Sequence, residues 1–273
     1  MKGMKRIAMV YDREKFEAKK MAEKIRGRIS LRAGYKVYQT LSRNTLEKGL
    51  DAVLIFGGDG LLLYIADRIS QSGKEIPIVG INYGFRGYLC WIQPDEAKEK
   101  IEQILQGDFE IEKRTRIQAE IFRKTEADSK PIKTIDALNE IVIGGIFKMV
   151  SLDIKINSGD KVIGSFIRGD GVIISTKTGS TGYNRNAGGK VIDTDNFVIT
   201  ANNPVLDDSF RSWLTREKSV VFSTETIFEI HNQAKKKANL PFTIGDGQRH
   251  YRLESDEYVV VKRSPMKTLF IKF

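Results

Sequence analysis

The hydrophobic pattern of this chain changes character once, near Arg114, and that change constrains the fold more than any other feature. Before it, short apolar runs alternate with helix-periodic stretches. Residues 6–11 (RIAMVY), 35–40, 52–56 (AVLIF) and 76–82 read as strands, and 13–32, 61–69 and 94–107 read as helices. In the first of these helices Ala18, Met21, Ala22, Ile25 and Ile29 recur at three- and four-residue steps. Strands alternating with helices predict an open, mostly parallel α/β sheet with its ligand site at the carboxyl ends of the strands. From Gln118 to about Val261, short β-patterned runs dominate instead, at 151–157, 161–167, 171–176, 196–200, 219–223, 228–231 and 258–262. Residues 126–133 read as a hairpin loop. The expectation is two domains, α/β over 1–114 and β-rich over 115–273, with about the last ten residues returning to the first. A length of 273 residues fits that division at roughly 150 residues per domain.

Charge and cysteine content bound the partners. The formal charge is +10, and residues 1–50 hold 14 Lys/Arg against 5 Asp/Glu, while the rest is nearly balanced. Such a basic segment attracts phosphates or another polyanion, or simply solvates a helix face. No apolar run approaches the roughly 18 residues of a membrane span, so no membrane partner is expected. The N-terminus lacks a signal-peptide pattern. The single Cys90 has no intramolecular partner, which removes disulfide and multi-Cys zinc frameworks and fits a cytoplasmic, reducing location.

Three motifs carry chemistry. Four apolar residues lead into Gly57-Gly58-Asp59-Gly60, a glycine turn that lets backbone N–H groups approach phosphate. Its spacing is neither a Walker loop nor a dinucleotide fingerprint. The plain alternative is a tight strand-to-helix turn capped by Asp59. Next, Arg168-Gly169-Asp170-Gly171 is separated by a short apolar run from a hydroxyl and glycine cluster over 175–182. That run can place Asp170 toward one end of a strand and the cluster at the other, where it can bind sugar hydroxyls, a base edge or phosphate. Third, Asn139 and Glu140 sit together in an apparent strand and suit a ribose diol or an adenine edge, although an exposed strand end explains them as well.

Together these motifs resemble the NAD kinases. The resemblance rests on FGGDG at 56–60, GINYGFRGYLCWIQPDEA at 80–97, ALNE at 137–140, RGDGVIISTKTGSTGY at 168–183, AGG at 187–189 and GDGQ at 245–248. It implies that the β-rich domain is sandwich-like. It also implies phosphoryl transfer from ATP or polyphosphate to the 2′-hydroxyl of the adenosine ribose of NAD, giving NADP. Asp59 is implied as the catalytic carboxylate. Gly57, Gly58 and Gly60 would leave room for the phosphates of the donor. The implied NAD-binding set is Asp59, Gly60, Tyr88, Asn139, Glu140, Arg168, Asp170, Thr178, Thr181, Gly182, Tyr183, Asn184, Asn186, Asp246 and Gln248. Arg168 would face the 2′-phosphate of the product. No protein-held metal is implied; Mg²⁺, or another divalent cation, would come with the phosphates. The partners implied are small-molecule nucleotides and further copies of the chain, as a homodimer or homotetramer, with no nucleic acid.

The sequence departs from the family pattern at Leu61, where Thr is usual, at Lys177 in place of Pro and at Gly182 in place of Ala. Two other readings therefore stay open: a lipid or sphingoid kinase with a similar glycine loop, or a non-catalytic NAD(P) sensor on the same fold. His231 and His250 read as surface or hydrogen-bonded histidines, Trp91 and Trp213 as packing residues, Lys235–Lys237 as a solvated loop and Asp207 and Asp208 as turn caps.

Overall fold

Residues 52–57 are apolar without alternation, so they form a strand only where both faces are covered, and they occupy the middle of a parallel sheet. The structure is a computed structural model that describes residues 4–124, 130–206, 212–234 and 239–273. The expected turn caps Asp207 and Asp208, the loop Lys235–Lys237 and residues 126–129 of the expected hairpin loop at 126–133 lie outside the described residues. The chain divides into two units, Met1–Arg114 with Met266–Phe273, and Thr115–Pro265.

The first unit runs β1 (Arg6–Tyr11), α1 (Phe16–Ser30), β2 (Lys36–Tyr38), α2 (Arg43–Glu47), β3 (Ala52–Gly57), α3 (Asp59–Gln71), β4 (Ile78–Asn82) and α4 (Ala97–Gln106). β1 pairs in parallel with β2 on one side and β3 on the other, and β3 pairs with β4. The order β2-β1-β3-β4 reverses direction between β1 and β3, which makes their carboxyl ends a topological switch point. Helix α1 buries Ala18, Ala22, Ile25 and Ile29 of the stripe read from its periodicity, and Met21 is partly buried beside them. α4 ends at Gly107, which adopts φ +86° as a left-handed cap. The helix expected from Pro94 starts later, at Ala97, and α2 has no counterpart in the periodicity.

The second unit contains most of β5 (Glu110–Arg123), then β6 (Lys133–Ala137), β7 (Glu140–Gly144), β8 (Val150–Ser158), β9 (Lys161–Ser175), α5 (Tyr183–Asn186), β10 (Asn196–Pro204), α6 (Trp213–Glu217), β11 (Ser219–Ser223), β12 (Ile227–Asn232), β13 (Phe242–Gly245), β14 (Arg249–Arg252) and the first part of β15 (Glu257–Lys272). Nearly every pairing is antiparallel. β9 is a single long strand where two were expected: its first half pairs with β8 and its second half with β7 and β10. Gly171, at φ +140°, is the first residue of the second expected run. A Cβ on it would come within 2.6 Å of Gly144 Cα on β7, so a side chain there would push the strands apart.

Each unit has its own core. Ile7, Leu54, Phe56, Val79, Ile101 and Ile271 belong to the first, and Ile117, Ile141, Ile154, Phe197, Phe228 and Val261 to the second. β5 and β15 both run through the boundaries of the two units. β15 pairs with β12 in its first part, and its Phe270 pairs in parallel with Ile78 of β4. Among the described residues no helix is long and apolar enough to cross a membrane.

Candidate functional site

In the first unit, β3 ends at Gly57 and α3 starts at Asp59, with Gly58 as an extended N-cap that has no side-chain capping bond. An acidic residue in the first helical turn complements the positive end of the helix. The Asp59 carboxylate is held by the loop after β4. Its Oδ1 accepts N–H bonds from Leu89 and Cys90 at 2.9 and 3.0 Å, and its Oδ2 accepts from Tyr88 N–H at 2.9 Å. That loop is itself tied down, because Tyr83 N–H donates to Gly57 O at 2.8 Å. Burial, and next the nearby Asp59 charge, push the Cys90 thiol up to about 12, so it stays an unreactive thiol.

The three glycines of the loop do different work. A Cβ on Gly57 would lie 2.7 Å from Leu61 Cδ2, so the missing side chain there is taken up by Leu61. A Cβ on Gly58 would lie 3.3 Å from Gly84 Cα, which makes Gly58 a site of close backbone approach. One on Gly60 would meet nothing within 4 Å. Of the three, only Gly60 therefore faces open space where a side chain would stand.

In the second unit the Asn139–Glu140 pair does not lie inside a strand as expected. Leu138 and Asn139 form the bend between β6 and β7, and Glu140 opens β7. Asp246, in a left-handed turn at φ +50°, pins this bend. Its Oδ2 accepts from Leu138 N–H at 2.8 Å and its Oδ1 from Asn139 N–H at 2.7 Å. On this geometry Asp246 holds the backbone of the pair in place. Asn139 Oδ1 and Glu140 Oε2 are buried and meet no hydrogen-bond partner. Burial, and then the Asp246 charge, raise the Glu140 carboxyl to about 8, so it is mostly protonated at neutral pH. Burial also pushes Asp246 upward, against the three backbone N–H groups and Arg116.

The hydroxyl cluster after β9 divides into inner and outer members. Thr176 Oγ1 donates to Leu138 O at 2.6 Å, and Thr176 N–H donates to Asn139 O at 2.8 Å, joining the cluster to the bend. Ser180 Oγ donates to Lys177 O at 2.8 Å. Thr178, Thr181, Gly182 and Tyr183 retain exposure. Asn184 is fully buried: its Nδ2 donates to Ser180 O and Lys190 O, and its Oδ1 accepts from Thr200 Oγ1 at 2.7 Å. With both polar atoms of its side chain engaged, Asn184 braces the turn. Asn186 and Gln248 are exposed beyond these turns.

Arg168, Asp170 and Tyr183 line a cavity of about 830 Å³ in this unit, together with the 145–149 loop, Ser151, Asn202 and Asn239. Two of its features were not assigned from sequence. Asn202 Nδ2 donates to the phenol oxygen of Tyr183 at 3.0 Å, and Asn203 Nδ2 donates to Asp170 Oδ2 at 3.2 Å. This Asn pair therefore holds two of the expected contacts in place. The loop Gly145–Met149 carries no sequence pattern beyond its single glycine. Tyr88 is more than half exposed in the first unit. Among the described residues no group of three or more His, Cys, Asp or Glu could hold a metal ion. His231 Nε2 lies 2.7 Å from Glu229 Oε1, and its ring stacks on Tyr258.

The chain matches two family profiles, the ATP-NAD kinase N-terminal domain over residues 4–109 and the ATP-NAD kinase C-terminal domain over residues 138–273. It is 31% identical to the NAD kinase of Treponema denticola over 97% of this chain and 89% of that one. It is 33% identical to the NAD kinase of Thermococcus kodakarensis over 83% of this chain and 75% of that one. An NAD kinase from Archaeoglobus fulgidus solved in complex with ATP shares the fold at a TM-score of 0.73 and 24% identity, covering 98% of this chain and 93% of that one. Yeast NADH kinase complexed with NADH superposes at a TM-score of 0.81 and 16% identity, over 100% of this chain and 84% of that one. The chain belongs to the NAD kinase family.

Proposed function

We infer that this protein transfers a phosphoryl group from ATP or polyphosphate to the 2′-hydroxyl of the adenosine ribose of NAD, producing NADP. The observation that carries this reading is the Asp59 carboxylate, oriented by three backbone N–H groups at the start of α3. A carboxylate fixed in this way accepts the proton of a hydroxyl as the new P–O bond forms. Gly60, open where a side chain would stand, leaves room for the donor phosphates beside Gly58. Asn139 and Glu140 present buried polar atoms to the ribose and adenine, Thr178, Thr181, Gly182 and Tyr183 form the outer wall, and Arg168 faces the 2′-phosphate of the product. Asp246 and Asn184 act through the residues they hold. Mg²⁺ comes with the phosphates of the donor and neutralises their charge. The lone buried Cys90 supports a reducing, cytoplasmic location, and the family resemblance supports a homodimer or homotetramer.

The test is an enzyme-coupled assay for NADP with ATP and polyphosphate compared as donors in the presence of Mg²⁺. The parent chain makes NADP, and Asp59→Asn lowers kcat by about 10²–10⁴. No NADP from either donor, or full activity in Asp59→Asn, overturns the reading or the role of Asp59 respectively.

A further inference from the structure

The glycine loop carries no cation of its own, and Leu61 puts a hydrocarbon where the family pattern has a hydroxyl. One lysine of the basic N-terminal segment approaches the loop. Lys15, just before α1, sends its Nζ back over the carboxyl ends of β1 and β3. There Nζ donates to Tyr83 O at 2.5 Å. It lies 4.0 Å from the point a Cβ on Gly58 would occupy. Asp12 N–H donates to Phe56 O at 2.9 Å, so the end of β1 and the glycine loop are directly joined. Asp12 Oδ2 is 3.8 Å from Lys15 Nζ, past hydrogen-bond distance. An ammonium group has three donors, and Tyr83 uses one. The Lys15 and Asp59 charges both act on the Cys90 thiol, in opposite senses, which places them on one neighbourhood. The side chain is only about one-third exposed, so its charge is less screened than that of a fully solvated lysine.

We propose that Lys15 is the phosphate-donor cation of this enzyme: its ammonium, held over Gly58 by Tyr83 O, binds the phosphates of the donor as the glycine loop admits them. This rests on the reading of 57–60 as the donor loop. It selects one residue from the 14 Lys/Arg of the first fifty, and it gives the basic segment a directed role beyond a diffuse field. The structural alternative is that Lys15 does no more than tie Tyr83 to α1.

The experiment compares the parent, Lys15→Met, which keeps most of the stem without the charge, and Lys15→Arg. Steady-state kinetics are measured with ATP and NAD varied in turn, and calorimetric titration uses tripolyphosphate with Mg²⁺. Loss of a charge-assisted bond raises the KM for ATP and weakens tripolyphosphate binding by about ten- to a hundredfold in Lys15→Met. The KM for NAD stays within about twofold, and Lys15→Arg recovers most of the loss. Unchanged donor KM and tripolyphosphate affinity in Lys15→Met overturn the proposal, as does a parallel rise in both KM values with a lowered melting temperature that Lys15→Arg fails to rescue. If the parent makes no NADP, the NAD kinase reading fails, and the tripolyphosphate titration still decides whether Lys15 binds phosphate.

Discussion

At the scale of single residues, the most consequential group is Glu140. Its carboxyl is raised to about 8 by burial and by Asp246, whereas an unfolded glutamate ionises near 4.5. Between those values the folded chain keeps a proton that the unfolded chain has lost, so stability is fully present below about pH 4.5 and declines as pH rises toward 8. Glu140→Gln, which matches the shape of the neutral acid, removes this loss. Melting temperatures of the two proteins between pH 5 and 8.5 will diverge with rising pH, with the variant the more stable at the alkaline end. A constant gap across that range would mean that Glu140 is ionised throughout. Sequence alone marked Asn139 and Glu140 as a polar pair, since two such residues amid Ile and Leu stand out. It could not show that Asp246, more than a hundred residues away, holds their backbone N–H groups, because a turn of positive φ brings that carboxylate round. Asn184 illustrates the converse: the side chain of a polar residue in a ligand-like motif joins its turn to Lys190 and to Thr200 of β10, and only the geometry reveals it.

At the scale of elements, legibility followed burial on both faces. β3 and β4 are nearly continuous apolar runs and were readable as strands, and α1 was readable from one buried stripe. β5 was not, because its first half is charged and half-exposed and only residues from Thr115 onward turn inward. β15 was read over five residues and extends to sixteen, since its later part (RSPMKTLFIK) mixes exposed and buried positions without alternation. The packing of elements also yields a test. A Cβ on Gly179 would come within 2.6 Å of Asn139 Cα, so the turn after β9 rests directly on the bend before β7. Gly179→Ala forces these two elements apart at a cost of about 1–3 kcal/mol. The KM for NAD is expected to rise by about tenfold or more, since 1.4 kcal/mol is a tenfold change, while the KM for ATP changes little. Equal effects on both substrates would show that the strain spreads beyond the acceptor side.

At the scale of the molecule, the first unit is discontinuous in sequence. Residues 266–273 belong to it, and both Phe270 and Ile271 are fully buried there. Trp91 packs on Phe270, and Arg114 lies over the same ring at 4.4 Å from its centroid. Deleting 266–273 removes two core side chains worth about 2–5 kcal/mol each, a large share of the 5–15 kcal/mol typical of a folded protein. Calorimetry of the truncated chain is expected to show the first unit melting well below the parent and NADP formation lost; an unchanged thermogram would contradict the assignment of these residues to that core. The two passages of the chain between units also order events during synthesis. Domains usually fold as they emerge, the earlier ones first, yet here the glycine-loop unit waits for a strand translated after the whole of 115–265. The unit begun first is therefore completed second, and until then the edge of β4 that pairs with Phe270 stands open as a template for another strand.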